Sequence, residues 1–132
     1  MSLPVDENEL SRHIIDAAVE VQRVLGGPGL LEHIYEEALA DELRMRGFDV
    51  RQQVVVPVMY KGTPLRTRLR LDLLVNEKVV VEVKAVSKLI DAFGAQALSY
   101  IRCSDKRLAL IINFGQRPLR QGIQRVVNGL PD

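Results

Sequence analysis

The chain has no tryptophan, one cysteine, two histidines and only three residues each of tyrosine and phenylalanine in 132 residues. A single cysteine, Cys103, excludes an internal disulfide, so apolar burial must hold the fold together, and a reducing cytoplasm is the expected compartment. Cys103 falls in a predicted helix with no catalytic partner and reads as structural. Both histidines, His13 and His33, precede every predicted strand and have no Cys or His at zinc spacing. That pattern offers neither a zinc site nor a Ser-His-Asp or Cys-His constellation. No apolar run approaches the roughly 20 residues a membrane-spanning helix needs, and the acidic start of the chain has no signal-peptide apolar region. Gly26-Gly27-Pro28-Gly29 is not a phosphate-binding loop, because no strand precedes it and no Gly-Lys-Ser/Thr follows.

What is present is an ordinary globular composition, 47% hydrophobic and 27% charged, in a length that predicts one domain over residues 1–132. Charge is unevenly spread. Residues 1–60 carry 5 Lys/Arg against 11 Asp/Glu, and residues 61–132 carry 13 against 6. A basic second half suits a polyanionic partner.

Apolar spacing predicts a helix over about Glu7–Leu25 and a second over about Leu30–Arg46, with Leu31, Ile34, Tyr35, Ala38, Leu39 and Leu43 inward. Strands follow at Val50–Tyr60, Leu65–Val75 and from Val79, then a helix over about Asp91–Cys103. A strand at Arg107–Phe114 and a last helix over Leu119–Val127 complete the order. The expected fold is α/β: a three-stranded meander, a crossover to a parallel fourth strand, and helices on both faces of a four-stranded mixed sheet.

The second and third strands carry the oddity. Leu69-Arg70-Leu71-Asp72-Leu73-Leu74-Val75 and Val79-Val80-Val81-Glu82-Val83-Lys84-Ala85-Val86 are dense enough in apolar residues to be covered on both faces. An unpaired charge there costs several kcal/mol, so Asp72, Glu82 and Lys84 must be paired, metal-bound or at a cleft mouth. A three-residue loop, Asn76-Glu77-Lys78, pairs Val75 with Val79 and sets Asp72 opposite Glu82, with Lys84 across from Arg70. A two-residue loop would move Asp72 against Val81. Strand alternation predicts Arg66, Arg68, Arg70 and Asp72 on one face and Leu69, Leu71, Leu73 and Val75 on the other. Two opposed carboxylates repel unless a cation lies between them, and an all-oxygen site suits Mg²⁺ or Mn²⁺. A structural ion pair on a half-exposed face is the alternative.

Asp72…Glu82-Val83-Lys84 on a hairpin followed by a helix and a strand resembles the PD-(D/E)XK nuclease signature of the restriction-endonuclease-like fold, whose core order is αβββαβ. Gly29-Leu30-Leu31-Glu32-His33-Ile34-Tyr35 resembles the motif of the GxxExxY family within that superfamily. Tyr60-Lys61-Gly62, Asp72-Leu73-Leu74-Val75, Gln96 through Tyr100 and Ile112-Asn113-Phe114-Gly115 are similar to its other blocks. The resemblance runs from about Leu10 to Leu130. It implies that Asp72, Glu82 and the Val83 carbonyl hold a divalent metal and that Lys84 positions the attacking water. It further implies that Glu32 supplies an extra carboxylate, and that Gln96 and Tyr100 face the site as in RecB-type nucleases. Where the family often has a histidine shortly before the glutamine, this chain has Phe93.

Helical spacing independently puts Gln96 with Tyr100, and Glu32 with Tyr35, on shared faces. For Tyr35 and Tyr100, core packing and substrate contact both remain open. Arg66, Arg68 and Arg70 are candidates for phosphate contact, or else a solvated edge. The expected function is Mg²⁺- or Mn²⁺-dependent hydrolysis of phosphodiester bonds, in DNA foremost. The alternative is a nucleic-acid-binding or assembly module that keeps the fold and catalyses little. Targeting is expected from a protein partner, a homodimer or DNA structure such as ends and junctions, and not from a membrane.

Overall fold

The computed structural model describes residues 5–131. Helix α1 (Glu7–Leu25) starts where the Asp6 carboxylate accepts the Glu9 N–H at 2.8 Å and stops at Gly26, whose φ of 73° suits glycine. Helix α2 (Glu32–Met45) begins later than its apolar run predicts, with Leu31 in extended backbone before it. Tyr35, Leu39 and Leu43, one turn apart, form its buried stripe, so Leu31 and Ile34 are exposed and not inward.

The sheet is built from β1 (Val50–Tyr60), β2 (Thr63–Val75), β3 (Val79–Lys84), β4 (Leu108–Asn113) and β5 (Ile123–Val127), in that spatial order. β3 and β4 are parallel and joined through helix α3 (Asp91–Ser104), and all other pairs are antiparallel. The fifth strand corrects the four-strand expectation. The predicted helix over Leu119–Val127 is instead a 3-10 turn at Leu119–Gly122 followed by β5. Gly122 is a poor helix-interior residue, Ile123, Val126 and Val127 are β-branched, and β4 offers an open edge whose pairing outweighs the weak helical pattern.

Two apolar layers cover the sheet. α1 and α2 pack on Leu73, Val75, Val79, Val81, Val83, Leu108, Leu110 and Ile112. Ala97 and Ile101 of α3 pack on Leu71, Leu74, Val80, Ala109 and Ile111. Each fully buried aliphatic side chain contributes about 1.5–3 kcal/mol.

The hairpin loop has three residues as expected: Val75 pairs with Val79, Leu74 with Val80 and Leu73 with Val81. Alternation along β2, however, does not run through. Leu73 and Val75 face α1 and α2, whereas Leu71 and Leu69 join the α3 cluster. The break falls at Asp72, opposite Gln53 of β1. That pair is missing from the ladder between Gln52↔Leu73 and Val54↔Leu71. Arg68 and Arg70 alternate with Leu69 and Leu71 and therefore lie on the face away from α3, whereas Arg66 lies beyond a break in register between Pro57↔Arg68 and Met59↔Pro64.

The end of β4 fixes the segment that leaves β3. Asn113, fully buried, accepts the Val86 N–H at 2.9 Å and the Gly115 N–H at 3.0 Å, and donates to the Val86 carbonyl and to Gln116 Oε1, both at 2.9 Å. The Phe114 N–H donates to the Lys84 carbonyl at 2.8 Å. A Cβ at Gly115 would collide with the Val86 backbone. Asn113→Ala strands both backbone groups of Val86 and is expected to cost about 3 kcal/mol, read as a lowered urea midpoint at unchanged slope.

Candidate active site

The site forms where β2 and β3 part. After Leu73↔Val81 the ladder stops, and the Asp72 carboxylate accepts the Val83 N–H at 2.8 Å. A side chain has replaced a rung of the ladder, which turns Asp72 toward the next residues of β3. Glu82 lies beside it, 4% exposed, with Oε1 lacking any hydrogen-bond partner among the described residues. Its carboxyl is pushed up to about 9 by burial first, then by the charge of Asp72 and a hydrogen bond to its side chain, with the Asp72 backbone and then Lys84 opposing. At neutral pH and without a cation, that rise favours the protonated form of Glu82.

Lys84 is half-buried on the α3 side, with Nζ 4.6 Å from the centroid of the Phe93 ring. It makes no ion pair or hydrogen bond among the described residues. The residue across the sheet from it is Asn113 of β4, not Arg70, because β2 has already diverged.

Helices bring in the rest. Glu32 opens α2, and its carboxyl is raised by burial, with Asp72 and Glu36 adding and Lys84 opposing. Tyr100 of α3 is half-buried, and its hydroxyl pKa is raised by burial, then by Glu82 and Asp72. Gln96, one turn earlier and exposed, hydrogen-bonds Tyr100 and opposes that rise. The expected shared face of Gln96 and Tyr100 is thus present, turned toward the carboxylates.

Two groups of candidates lie elsewhere. Tyr35 is fully buried, stacked on Phe114 at 4.6 Å between centroids with planes 4° apart, and its hydroxyl donates to the Gly26 carbonyl at 3.3 Å. It packs the core and pins the loop between α1 and α2, so it is not a phosphate contact. Arg66, Arg68 and Arg70 are exposed on the outer hairpin and paired to no acid among the described residues. Arg68 and Arg70 do not share the face of Lys84, because alternation restarts at Asp72. Cys103 is exposed on α3 rather than in the core.

Sequence reasoning missed three supporting residues. Phe93 is the seat of Lys84, and its position had registered only as a departure from the family pattern. Asn113 is the one polar residue in an apolar strand, which was a usable signal. Glu36, 3% exposed, accepts from Gln52 Nε2 at 3.3 Å and Gln53 Nε2 at 2.8 Å. Consecutive glutamines interrupting an apolar strand were its visible trace.

The donor set fits a hard cation. Among the described residues no three His, Cys, Asp or Glu side chains cluster closely enough to enclose a metal. Asp72 and Glu82 would supply two oxygens, leaving the remaining positions to backbone, water or substrate, as Mg²⁺ tolerates. The unsatisfied Oε1 of Glu82 is the atom that a cation would complete.

The raised carboxyl makes a linkage prediction. Below about pH 4.5 Glu82 is protonated folded and unfolded alike. Between 4.5 and 9 the folded chain keeps a proton that the unfolded chain loses, so stability falls as pH rises. Glu82→Gln removes that loss. Without metal it is expected to match wild type near pH 4 and exceed it near pH 9 by on the order of 5 kcal/mol, measured by urea unfolding in chelator.

No curated protein and no solved structure matches the chain. The profile of the PD-(D/E)XK nuclease superfamily, however, matches residues 8–126. That span takes in Glu32, Asp72, Glu82, Lys84, Gln96 and Tyr100. With this site and this order of elements, the chain belongs to the PD-(D/E)XK nuclease superfamily.

Proposed function

We propose that this chain is a Mg²⁺- or Mn²⁺-dependent nuclease of the GxxExxY type that hydrolyses phosphodiester bonds in DNA, working in the cytoplasm as a single domain. The observation that carries the reading is the buried, unpartnered Oε1 of Glu82 beside Asp72. Asp72, Glu82 and the Val83 carbonyl would hold the metal, which when bound polarises a phosphate and acidifies a water. Lys84, in no ion pair or hydrogen bond among the described residues, has donors available for the attacking water and for charge developing on the phosphate oxygens. Glu32 adds a carboxylate at the mouth. Gln96 and Tyr100 offer neutral donors on the α3 side, and the high Tyr100 pKa keeps that hydroxyl a donor at physiological pH.

Nucleic acid fits the charge pattern as well as the chemistry. From Pro57 to Arg70 the hairpin carries Lys61, Arg66, Arg68 and Arg70 and no acid. Three arginines paired to no carboxylate among the described residues are available to phosphates. Targeting by a protein partner or a second copy remains part of the reading.

Incubation with single- and double-stranded DNA and RNA, in Mg²⁺ or Mn²⁺, tests the activity against Asp72→Ala and Lys84→Ala. Wild-type DNA cleavage is expected, with a loss of at least about 100-fold in each variant. Cleavage undiminished in both variants would assign the activity to a contaminant. Salt-sensitive binding without cleavage would identify a binding module that keeps the fold. In the binding assay Arg68→Ala is expected to weaken DNA of every sequence about equally and to lower the salt slope by about 1.

A further inference from the structure

Glu36 touches no reacting group, yet it is one of the few acidic residues taken almost wholly out of water. Its two oxygens accept from Gln52 and Gln53, which are consecutive in β1. In a regular strand neighbouring side chains leave from opposite faces, so two of them cannot reach one carboxylate. They do so here because Gln53 has φ 52°, in the left-handed region that a non-glycine residue enters only when its surroundings hold it there.

The consequence lies across the sheet. Gln53 stands opposite Asp72, and this is the rung missing between Gln52↔Leu73 and Val54↔Leu71. On both strands the faces exchange at that level: Val54 and Val56 join Leu69 and Leu71 against α3, while Val50 and Leu73 face the other layer. Asp72 is thereby released from β1 and gives its carboxylate to the Val83 N–H. We infer that Glu36 is a positioning residue: by gripping Gln52 and Gln53 it holds the kink in β1 that turns Asp72 out of the ladder and across the end of β3. The bearing of this clamp on metal binding rests on the proposed nuclease function, whereas its effect on Asp72 stands on geometry alone.

Two variants separate the clamp from simple structural support. Glu36→Gln keeps size and shape but replaces one acceptor with a donor facing the Gln52 amide. Gln53→Gly makes the left-handed conformation free of side-chain strain, so the kink no longer needs gripping. Amide hydrogen exchange on metal-free protein reads Val83 directly, and Mn²⁺ titration reads the site. Glu36→Gln is expected to speed Val83 exchange at least about tenfold, with Val81 and Leu110 nearly unchanged, and to weaken Mn²⁺ by about tenfold. In the Gln53→Gly background the same substitution is expected to change neither readout by more than about twofold. Unchanged Val83 exchange in Glu36→Gln would overturn the clamp, as would faster exchange spread evenly over the sheet or an equal effect in the glycine background. Absence of Mn²⁺ binding in the wild type would instead refute the metal site, leaving Val83 exchange to decide the clamp.

Discussion

The site depends on one exchange of hydrogen bonds, in which the Asp72 carboxylate takes the Val83 N–H that would otherwise belong to backbone pairing. The long strand β2 and the short strand β3 leave the same hairpin loop and part after Leu73↔Val81, while β3 stays paired with β4 to its end. The Asp72 carboxylate at that fork satisfies the buried Val83 amide and holds Asp72 beside Glu82. An apolar residue at position 72 could let the strands part, but it would leave a buried N–H without a partner. The residue that completes the backbone is thus the residue that makes the site anionic.

Much of this was legible in the sequence, and what was missed shares a cause. The three-residue loop could be read because only that register keeps Asp72 and Glu82 together. Gln96 and Tyr100 could be paired because helical spacing is rigid. The face of the arginines was misread because strict alternation was assumed through Asp72, and a single left-handed residue on the neighbouring strand breaks it. The last helix was misread because β4's need for a partner is a property of the sheet and not of residues 119–127. Tyr35 illustrates the limit of motif reading. The position matches, but total burial and stacking on Phe114 give it a structural task. Phe93 shows the converse, since a departure from the pattern turned out to seat Lys84.

The two halves of the hairpin do different electrostatic work. Its inner end concentrates Asp72 and Glu82 next to Lys84, with Glu32 approaching from α2. Its outer end carries Arg68 and Arg70, paired to no acid among the described residues, on the opposite face. Had alternation held, those arginines would project toward the carboxylates and compete with any cation as counter-ions. Turning the strands over at Gln53 keeps the basic residues from quenching the acidic site, while leaving both on one continuous element that a polyanion could follow.

Lys84 and Glu82 show why the resting site is poised rather than self-neutralised. A lysine between two ionised carboxylates would close into an ion pair and tie down all three groups. Here Glu82 is too deeply buried to ionise readily, so part of the attraction is absent, and the Phe93 ring stabilises the ammonium without using any of its N–H donors. Asp72 and Glu82 are the residues that would hold a divalent cation, which when bound would favour the charged form of Glu82 and satisfy Oε1. The Lys84 ammonium, seated on Phe93, would keep its N–H donors available for an anion at that site.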